Sequence, residues 1–335
     1  MGQYAHLTLE EREDIMVMRR DGLGVGEIAR ATGRNKSTIS RELARNSYRS
    51  GTAGIAYRAS TAQRRYEARR RSCRRRRLLD DPALAGLVTA KIAEGRWSPE
   101  QVAGRIALER PETPVSASTI YRAINDRRLD PPELRRTARG LKGRLRHKGK
   151  RRHRKGGGEE RRGKIPGTRP ISERPAEAGA RERLGDWEGD TVVGKGGGAC
   201  LVTLVDRTSR LLEGGRSPAH TKKEVAETQA AALGGHPETK TMTLDRGMEF
   251  AGFAEVEGAV GVVTYFALPH HPWQRGTNEN TNGLLREYFP KGTDFGGVTD
   301  EEVRAVYDEL NRRPRKCLGF RTPYEVHYST TLHLL

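Results

Sequence analysis

The sequence predicts a multidomain chain in which two all-α helix-turn-helix units precede an α/β domain with a mixed sheet. Three observations carry this reading. Helical patterning occurs twice within the first 130 residues and repeats one signature, Ser37-Thr38-Ile39-Ser40-Arg41 and then Ser118-Thr119-Ile120-Tyr121-Arg122. Strand patterning alternating with helices begins only near Gly185. The charge divides at the same place: residues 186–335 hold 17 Lys and Arg against 21 Asp and Glu, so the net +19 lies entirely in the first 185 residues. A basic front half is suited to a polyanion. The length of 335 residues agrees with more than one domain.

The first unit spans residues 1–50. Leu9 to Arg20 reads as a helix with Ile15 and Met18 on its apolar side, stopped by Asp21-Gly22. Val25, Ile28 and Ala29 mark a short helix ending at Thr32-Gly33. A third helix starts at Lys36, where Ile39 and Leu43 sit four apart and face the core. That leaves Lys36, Ser37, Thr38, Ser40 and Arg41 exposed, as on a helix that reads the major groove of double-stranded DNA. The competing reading is a small helical bundle with a polar face. Residues 51–81 read as a basic linker.

The second unit, residues 82–130, has Ser98 as a helix cap with Pro99 in the first turn, and Val102 and Ile106 as its apolar side. Ser118, Thr119 and Arg122 repeat the reading face; a helical module without DNA contact is the alternative. Residues 131–180 read as a second basic linker. Its Arg135–Lys164 tract has almost no apolar residues, and is expected to stay disordered until it meets phosphate.

Residues 181–335 form the third domain. Leu201-Val202-Thr203-Leu204-Val205 is a buried-type strand, with a turn at Asp206-Arg207 and a partner strand over Ser209–Glu213. Thr221 to Leu233 reads as a helix, Lys240 to Leu244 and Gly261 to Leu268 as strands, and a late helix begins near Thr277. Three acidic positions lie on these elements. In Asp186-Trp187-Glu188-Gly189-Asp190 the carboxylates recur every second residue, which a strand places on one face. Asp245 closes a strand, and Glu279 opens the late helix. Converging hard oxygen ligands of this kind bind Mg²⁺ or Mn²⁺ and support attack at a phosphodiester. The residues alone leave Asp186, Glu188 and Asp190 all open for the first role.

Other classes drop out. No run approaches the roughly 18 apolar residues of a membrane span, and the N-terminus lacks the apolar core of a signal peptide. Cys73, Cys200 and Cys317 are lone and far apart, against a disulfide scaffold or a Cys-based zinc site. A soluble, reducing compartment fits.

The chain resembles the DDE transposases of the insertion-sequence-thirty family over nearly its whole length. The resemblance rests on His6-Leu7-Thr8 through Ser37-Thr38-Ile39-Ser40-Arg41-Glu42-Leu43 to Asn46, and on Gly185-Asp186-Trp187-Glu188-Gly189-Asp190. It continues through Trp273-Gln274-Arg275-Gly276-Thr277-Asn278-Glu279-Asn280 to Tyr288-Phe289-Pro290-Lys291-Gly292-Thr293-Asp294, and through Asn311-Arg312-Arg313-Pro314. It implies a ribonuclease-H-like catalytic domain of the retroviral-integrase type. It also implies Asp190, Asp245 and Glu279 as the catalytic, metal-holding triad, with 33 residues between the last two. Arg275 and Asn278, flanking Glu279, are expected to touch DNA. The implied activity is Mg²⁺- or Mn²⁺-dependent cleavage at an element's terminal repeats and strand transfer. A homo-oligomer on DNA, in a bacterial, nucleoid-associated and cytoplasmic setting, follows from that. The family's usual Asn-Gly-Lys-Glu-Phe after the second aspartate is here Arg246-Gly247-Met248-Glu249-Phe250. That departure keeps a catalytically silent, transposase-derived DNA-binding regulator as a rival, alongside a structure-specific nuclease.

Overall fold

Thr8 starts the first helix by a reciprocal cap. Its hydroxyl accepts the Glu11 N–H at 3.2 Å, and the Glu11 carboxylate accepts the Thr8 N–H at 2.7 Å. The helix so begun is α1 (Leu9–Arg20), followed by α2 (Val25–Ala31) and α3 (Lys36–Asn46). Gly33, at φ 64°, makes the turn before α3, and the Asn35 side chain caps α3 by accepting the Ser37 N–H at 2.9 Å. Ile15, Ile28, Ile39 and Leu43 bury together as their spacing predicts. This is a computed structural model describing residues 6–49, 55–72, 77–146, 165–269 and 271–335, and it divides into two units, residues 1–77 and 78–335.

The first unit reaches beyond residue 50. A short antiparallel pair, β1 (Tyr48–Arg49) and β2 (Ile55–Ala56), leads into α4 (Ala59–Ser72). Ala62 of α4 and Tyr57 before it join the core of the first three helices. Buried Arg12 ties the elements together, donating to Glu42 at 2.9 Å and to Gln63 at 2.8 Å. The expected linker over 51–81 is therefore corrected: residues 55–72 complete the first unit. Its narrow apolar stripe was hidden by basic neighbours, one of which, Arg69, donates to Asn46 at 2.9 Å.

In the second unit, α5 (Pro82–Ala93), α6 (Pro99–Glu109) and α7 (Ala117–Asn125) precede the short α8 (Pro132–Arg135). Ser98 caps α6 and Pro99 sits in its first turn, as expected. Val88, Ile92, Val102, Ile106, Ile120 and Ile124 form the core, which Leu141 completes. Leu141 is fully buried and its N–H donates to Asp130 at 2.8 Å. The second expected linker, 131–180, is thus corrected as well. Its first residues, to 146, fold onto the helical module, while β3 (Arg169–Pro170) and α9 (Ala176–Ala180) belong to the sheet domain. Residues 147–164, the remainder of the Arg135–Lys164 tract, lie outside the described residues.

The sheet domain continues with β4 (Asp186–Val193), β5 (Cys200–Asp206), β6 (Leu212–Ser217), α10 (Lys222–Leu233) and β7 (Thr241–Leu244). It closes with α11 (Phe253–Val260), β8 (Val263–Phe266), α12 (Gly276–Leu285), α13 (Asp300–Asn311) and α14 (Pro323–His327). The six strands run β3-β8-β7-β4-β5-β6, parallel from β3 to β4 and antiparallel through β5 and β6. Strand alternation divides the core. Val202, Leu204, Met242 and Leu244 pack under α10 and α11, while Val192, Leu201, Val205 and Leu212 pack under α12 and α13. The β5 partner strand starts at Leu212, later than expected, because Asp206 holds the turn by accepting the Thr208 and Ser209 N–H groups at 3.1 and 2.7 Å. Among the described residues, no helix is long and apolar enough to cross a membrane.

Within this unit the helical module is fastened to the sheet domain. Arg105 of α6, 1% exposed, forks onto Glu325 of α14 at 2.6 and 2.8 Å. Gln101 donates to the Pro314 carbonyl at 2.7 Å, and Leu334 and Leu335 pack on the module while their N–H groups donate to Glu109. The Phe320 ring lies against Gly104 so closely that a Cβ there would be 2.2 Å from it.

Candidate functional site

The register between β4 and β7 brings two of the expected acids together. Asp186, Trp187 and Glu188 pair with Thr241, Met242 and Thr243, so the same register sets Asp190 beside Asp245. Neighbouring strands lie about 4.8 Å apart, close enough for the two carboxylates to act as one site. Gly189 makes this possible from the opposite face, where a Cβ would stand 2.4 Å from the Leu244 side chain.

A single guanidinium spans the pair. Arg275 donates to Asp245 at 3.0 Å, lies 3.3 Å from Asp190, and donates to the Gly189 carbonyl at 3.2 Å. Asn282 of α12 donates to the other Asp190 oxygen at 3.0 Å, and the Thr191 N–H donates to Asp190 at 2.9 Å. Burial, with Asp245 alongside, holds the Asp190 carboxyl above its ordinary range against the pull of Arg275. Glu279 is exposed in the first turn of α12, four residues after Arg275 and three before Asn282. That spacing sets it on the helix face whose neighbours touch Asp190. Among the described residues the three acids are not gathered within 4.8 Å of one another; His236, Glu238 and His327 are.

The other two acids of β4 are committed to holding the fold. Asp186 is fully buried, accepting from Thr241 at 2.7 Å and from Arg183 at 3.0 Å. Glu188, equally buried, accepts the Thr277 and Asn278 N–H groups at 2.9 and 3.0 Å and pairs with Arg207. A carboxylate at the start of α12 suits the positive end of that helix. Glu188 thereby fixes the helix that carries Glu279.

Two residues expected to touch DNA are engaged elsewhere. Asn278 is fully buried: its amide donates to the Glu188 and Thr203 carbonyls at 2.9 and 3.1 Å, and its oxygen accepts from Thr203 at 2.9 Å. It staples α12 to β4 and β5, which leaves it no reach to a ligand. Arg275 spends its guanidinium on Asp190 and Asp245. Arg246 leaves its buried Nε without a hydrogen-bond partner.

On α3, Lys36, Ser37, Ser40 and Arg41 are exposed and Thr38 is half-buried. Arg41 lies back along the helix, donating to the Ser37 carbonyl and hydroxyl at 3.0 Å. On α7, Ser118 and Arg122 are exposed, while half-buried Thr119 shares a 2.9 Å hydrogen bond with Ser116. Sequence reasoning missed a basic cavity of about 190 Å³ beside α12, lined by Arg181, Arg210, Thr277 and Arg315. Arg210 donates to Thr277 at 2.7 Å, yet buried Nε atoms of Arg210 and Arg315 have no partner.

A helix-turn-helix domain model matches residues 3–46. The chain is 38% identical, over 97% of its own length and 94% of the relative's, to the transposase for insertion sequence element IS1086 of Cupriavidus metallidurans. It is 39% identical to transposase InsI for insertion sequence element IS30A of Escherichia coli, over 96% of this chain and 83% of that one. The chain belongs to the IS30 family of insertion-sequence transposases. The transposase for IS4351 of Bacteroides fragilis is 38% identical over 96% of the chain. The catalytic core of BIV integrase aligns at 19% identity and a TM-score of 0.35, covering 43% of this chain and 94% of that one. Membership in the IS30 family makes the chain a DNA-binding, polynucleotidyl-transferase-type enzyme, as the resemblance implied.

Proposed function

We propose that this chain binds the terminal repeats of an insertion sequence and cleaves and joins DNA with Asp190, Asp245 and Glu279. The observation that carries the reading is the Asp190–Asp245 pair on adjacent strands, bridged by the single guanidinium of Arg275. Paired carboxylates balanced by a cation are chemically suited to Mg²⁺ or Mn²⁺, which these two residues and Glu279 would hold. When bound, such an ion activates the attacking oxygen and stabilises the leaving oxygen of a phosphodiester. Arg275 and Asn282 orient Asp190, and Glu188 and Asn278 fix α12 so that Glu279 keeps its place. The first attack, by water, leaves a 3′-hydroxyl on the element; that hydroxyl then attacks target DNA and displaces a target 3′-oxygen. Arg181, Arg210 and Arg315 line the cavity beside α12, where buried Nε atoms of Arg210 and Arg315 lack partners, and are assigned as candidate phosphate contacts. Joining two ends requires two copies of the site, so the active form on DNA is a homo-oligomer.

Lys36, Ser37, Ser40 and Arg41 are assigned to reading the ends, with Thr38 at their edge; Ser118, Thr119 and Arg122 form a second DNA-facing helix. The deciding experiment incubates the full chain with Mg²⁺ and DNA carrying the element's end, in parallel with Asp190→Asn. Cleavage by the variant should fall by orders of magnitude while gel-shift binding persists. Wild-type-like cleavage by Asp190→Asn would falsify the assignment. In the same assay Arg41→Ala should cost about 1–3 kcal/mol on the cognate end and relax specificity at one position. Equal weakening on every sequence would make it a phosphate contact instead.

A further inference from the structure

We infer that His236, Glu238 and His327 form a second metal site, specific for a borderline transition ion of the zinc class and separate from the acidic pair. His236 and Glu238 lie in the loop between α10 and β7, and His327 ends α14. Glu238 Oε1 is 2.8 Å from His236 Nδ1 and 2.9 Å from His327 Nε2. Both imidazoles are buried, and the carboxylate between them is half-buried.

The hydrogen-bond arithmetic calls for a positive charge at this point. Ser209 donates its hydroxyl proton to Asp206 at 2.7 Å, because a carboxylate only accepts. Ser209 Oγ, 3.1 Å from His327 Nδ1, must therefore accept that ring's N–H. A neutral His327 then directs its Nε2 lone pair at Glu238 Oε1. His236 sets its Nδ1 2.8 Å from the same Glu238 oxygen, while its Nε2 lies 3.6 Å from Glu213, beyond hydrogen-bond reach. The two ring nitrogens and the carboxylate oxygen lie within 4.8 Å of one another, so one divalent ion held between them would satisfy all three, as a proton on each ring also would. The remaining nitrogen of His327 already faces Ser209 Oγ, the outer arrangement that orients metal-ligating histidines. Zinc bonds of about 2.0–2.1 Å to nitrogen and oxygen require only small outward shifts of these atoms.

Two nitrogens and one carboxylate are a donor set for Zn²⁺ rather than Mg²⁺, with a fourth position toward solvent. The rings pack on Trp187 of β4, with centroids 5.1 Å away for His236 and 6.2 Å for His327. Bound metal would clamp α14 and the loop before β7 onto the strand that carries Asp190. The role assigned is structural, and it does not depend on the catalytic reading.

The test uses the full chain carrying Asp190→Asn and Asp245→Asn, stripped of metal and titrated with Zn²⁺ or Co²⁺ in excess Mg²⁺. One ion per chain should bind and raise the Tm. The Co²⁺ form should show visible bands of nitrogen and oxygen ligation without a thiolate charge-transfer band. Ser209→Ala should weaken binding about 10-fold through the outer partner alone. His327→Gln and the more exposed Glu238→Gln should weaken it further. Zn²⁺ affinity unchanged in Glu238→Gln, a thiolate band, or no stoichiometric binding by the parent chain would each overturn the site. The parent titration decides even if a variant does not fold.

Discussion

Glu188 and Asp190 sit two positions apart on one strand face and have opposite prospects. Glu188→Gln leaves buried Arg207 without its counter-charge, so it should destabilise the protein by about 3 kcal/mol in chemical denaturation. Asp190→Asn removes one of two like charges and should leave stability nearly unchanged while cleavage is lost. If Glu188→Gln unfolds like wild type, its anchoring role is wrong. Arg275→Gln should enlarge the Tm gain produced by saturating Mg²⁺, because the guanidinium and the ion compete for the same carboxylates. An equal gain in both proteins would show that they do not compete. The sequence placed the three β4 carboxylates on one face, because alternation is local. It could not separate them, because the deciding partners, Arg207, Arg275 and Asn282, come from other elements. Asn278 departs from expectation for a related reason: a polar side chain beside a functional acid looks available until its backbone partners are known. Its spacing of four from Asn282 was the usable signal that both face the sheet.

Helix α6 meets the C-terminal segment through a position that admits no side chain. Gly104→Ala should destabilise by about 1–3 kcal/mol, since its Cβ would strike the Phe320 ring. Gly86→Ala in α5, with nothing within 4 Å of the added Cβ, should stabilise by about 0.5–1 kcal/mol. Both are helix-interior exchanges, so opposite signs in urea denaturation isolate the contact; matching signs would remove it. The helices themselves were legible from caps and four-residue apolar spacing, as at Thr8, Ser98 and the Ile39–Leu43 pair. The two linkers were not. Residues 55–72 and 131–146 bury only a few small or isolated apolar groups, such as Ala62 and Leu141, and their basic composition outweighs that signal in any window.

Across the whole of the second unit, Arg105 makes the buried ion pair that helps fasten the helical module to the sheet domain. Burial alone would push the Glu325 carboxyl up, but Arg105 and the Leu332 and Thr322 N–H groups outweigh it and hold it down to about 2. A depressed carboxyl stabilises fully above its unfolded value near 4.5 and loses that contribution as pH falls toward 2. The stability gap between wild type and Glu325→Gln should therefore be widest at neutral pH and shrink below pH 4.5. A gap independent of pH would mean that the ion pair contributes nothing. No sequence pattern announces this contact, because its partners lie 220 residues apart. That separation also has a meaning in time. At about 5–20 residues per second, a ribosome takes about 10–45 s to deliver Glu325 after Arg105. The first unit, whose core among the described residues runs from Leu7 to Ala62, can finish folding long before then. The emerging polypeptide passes through an interval in which its leading helices are complete and the enzymatic half is still waiting for its latch.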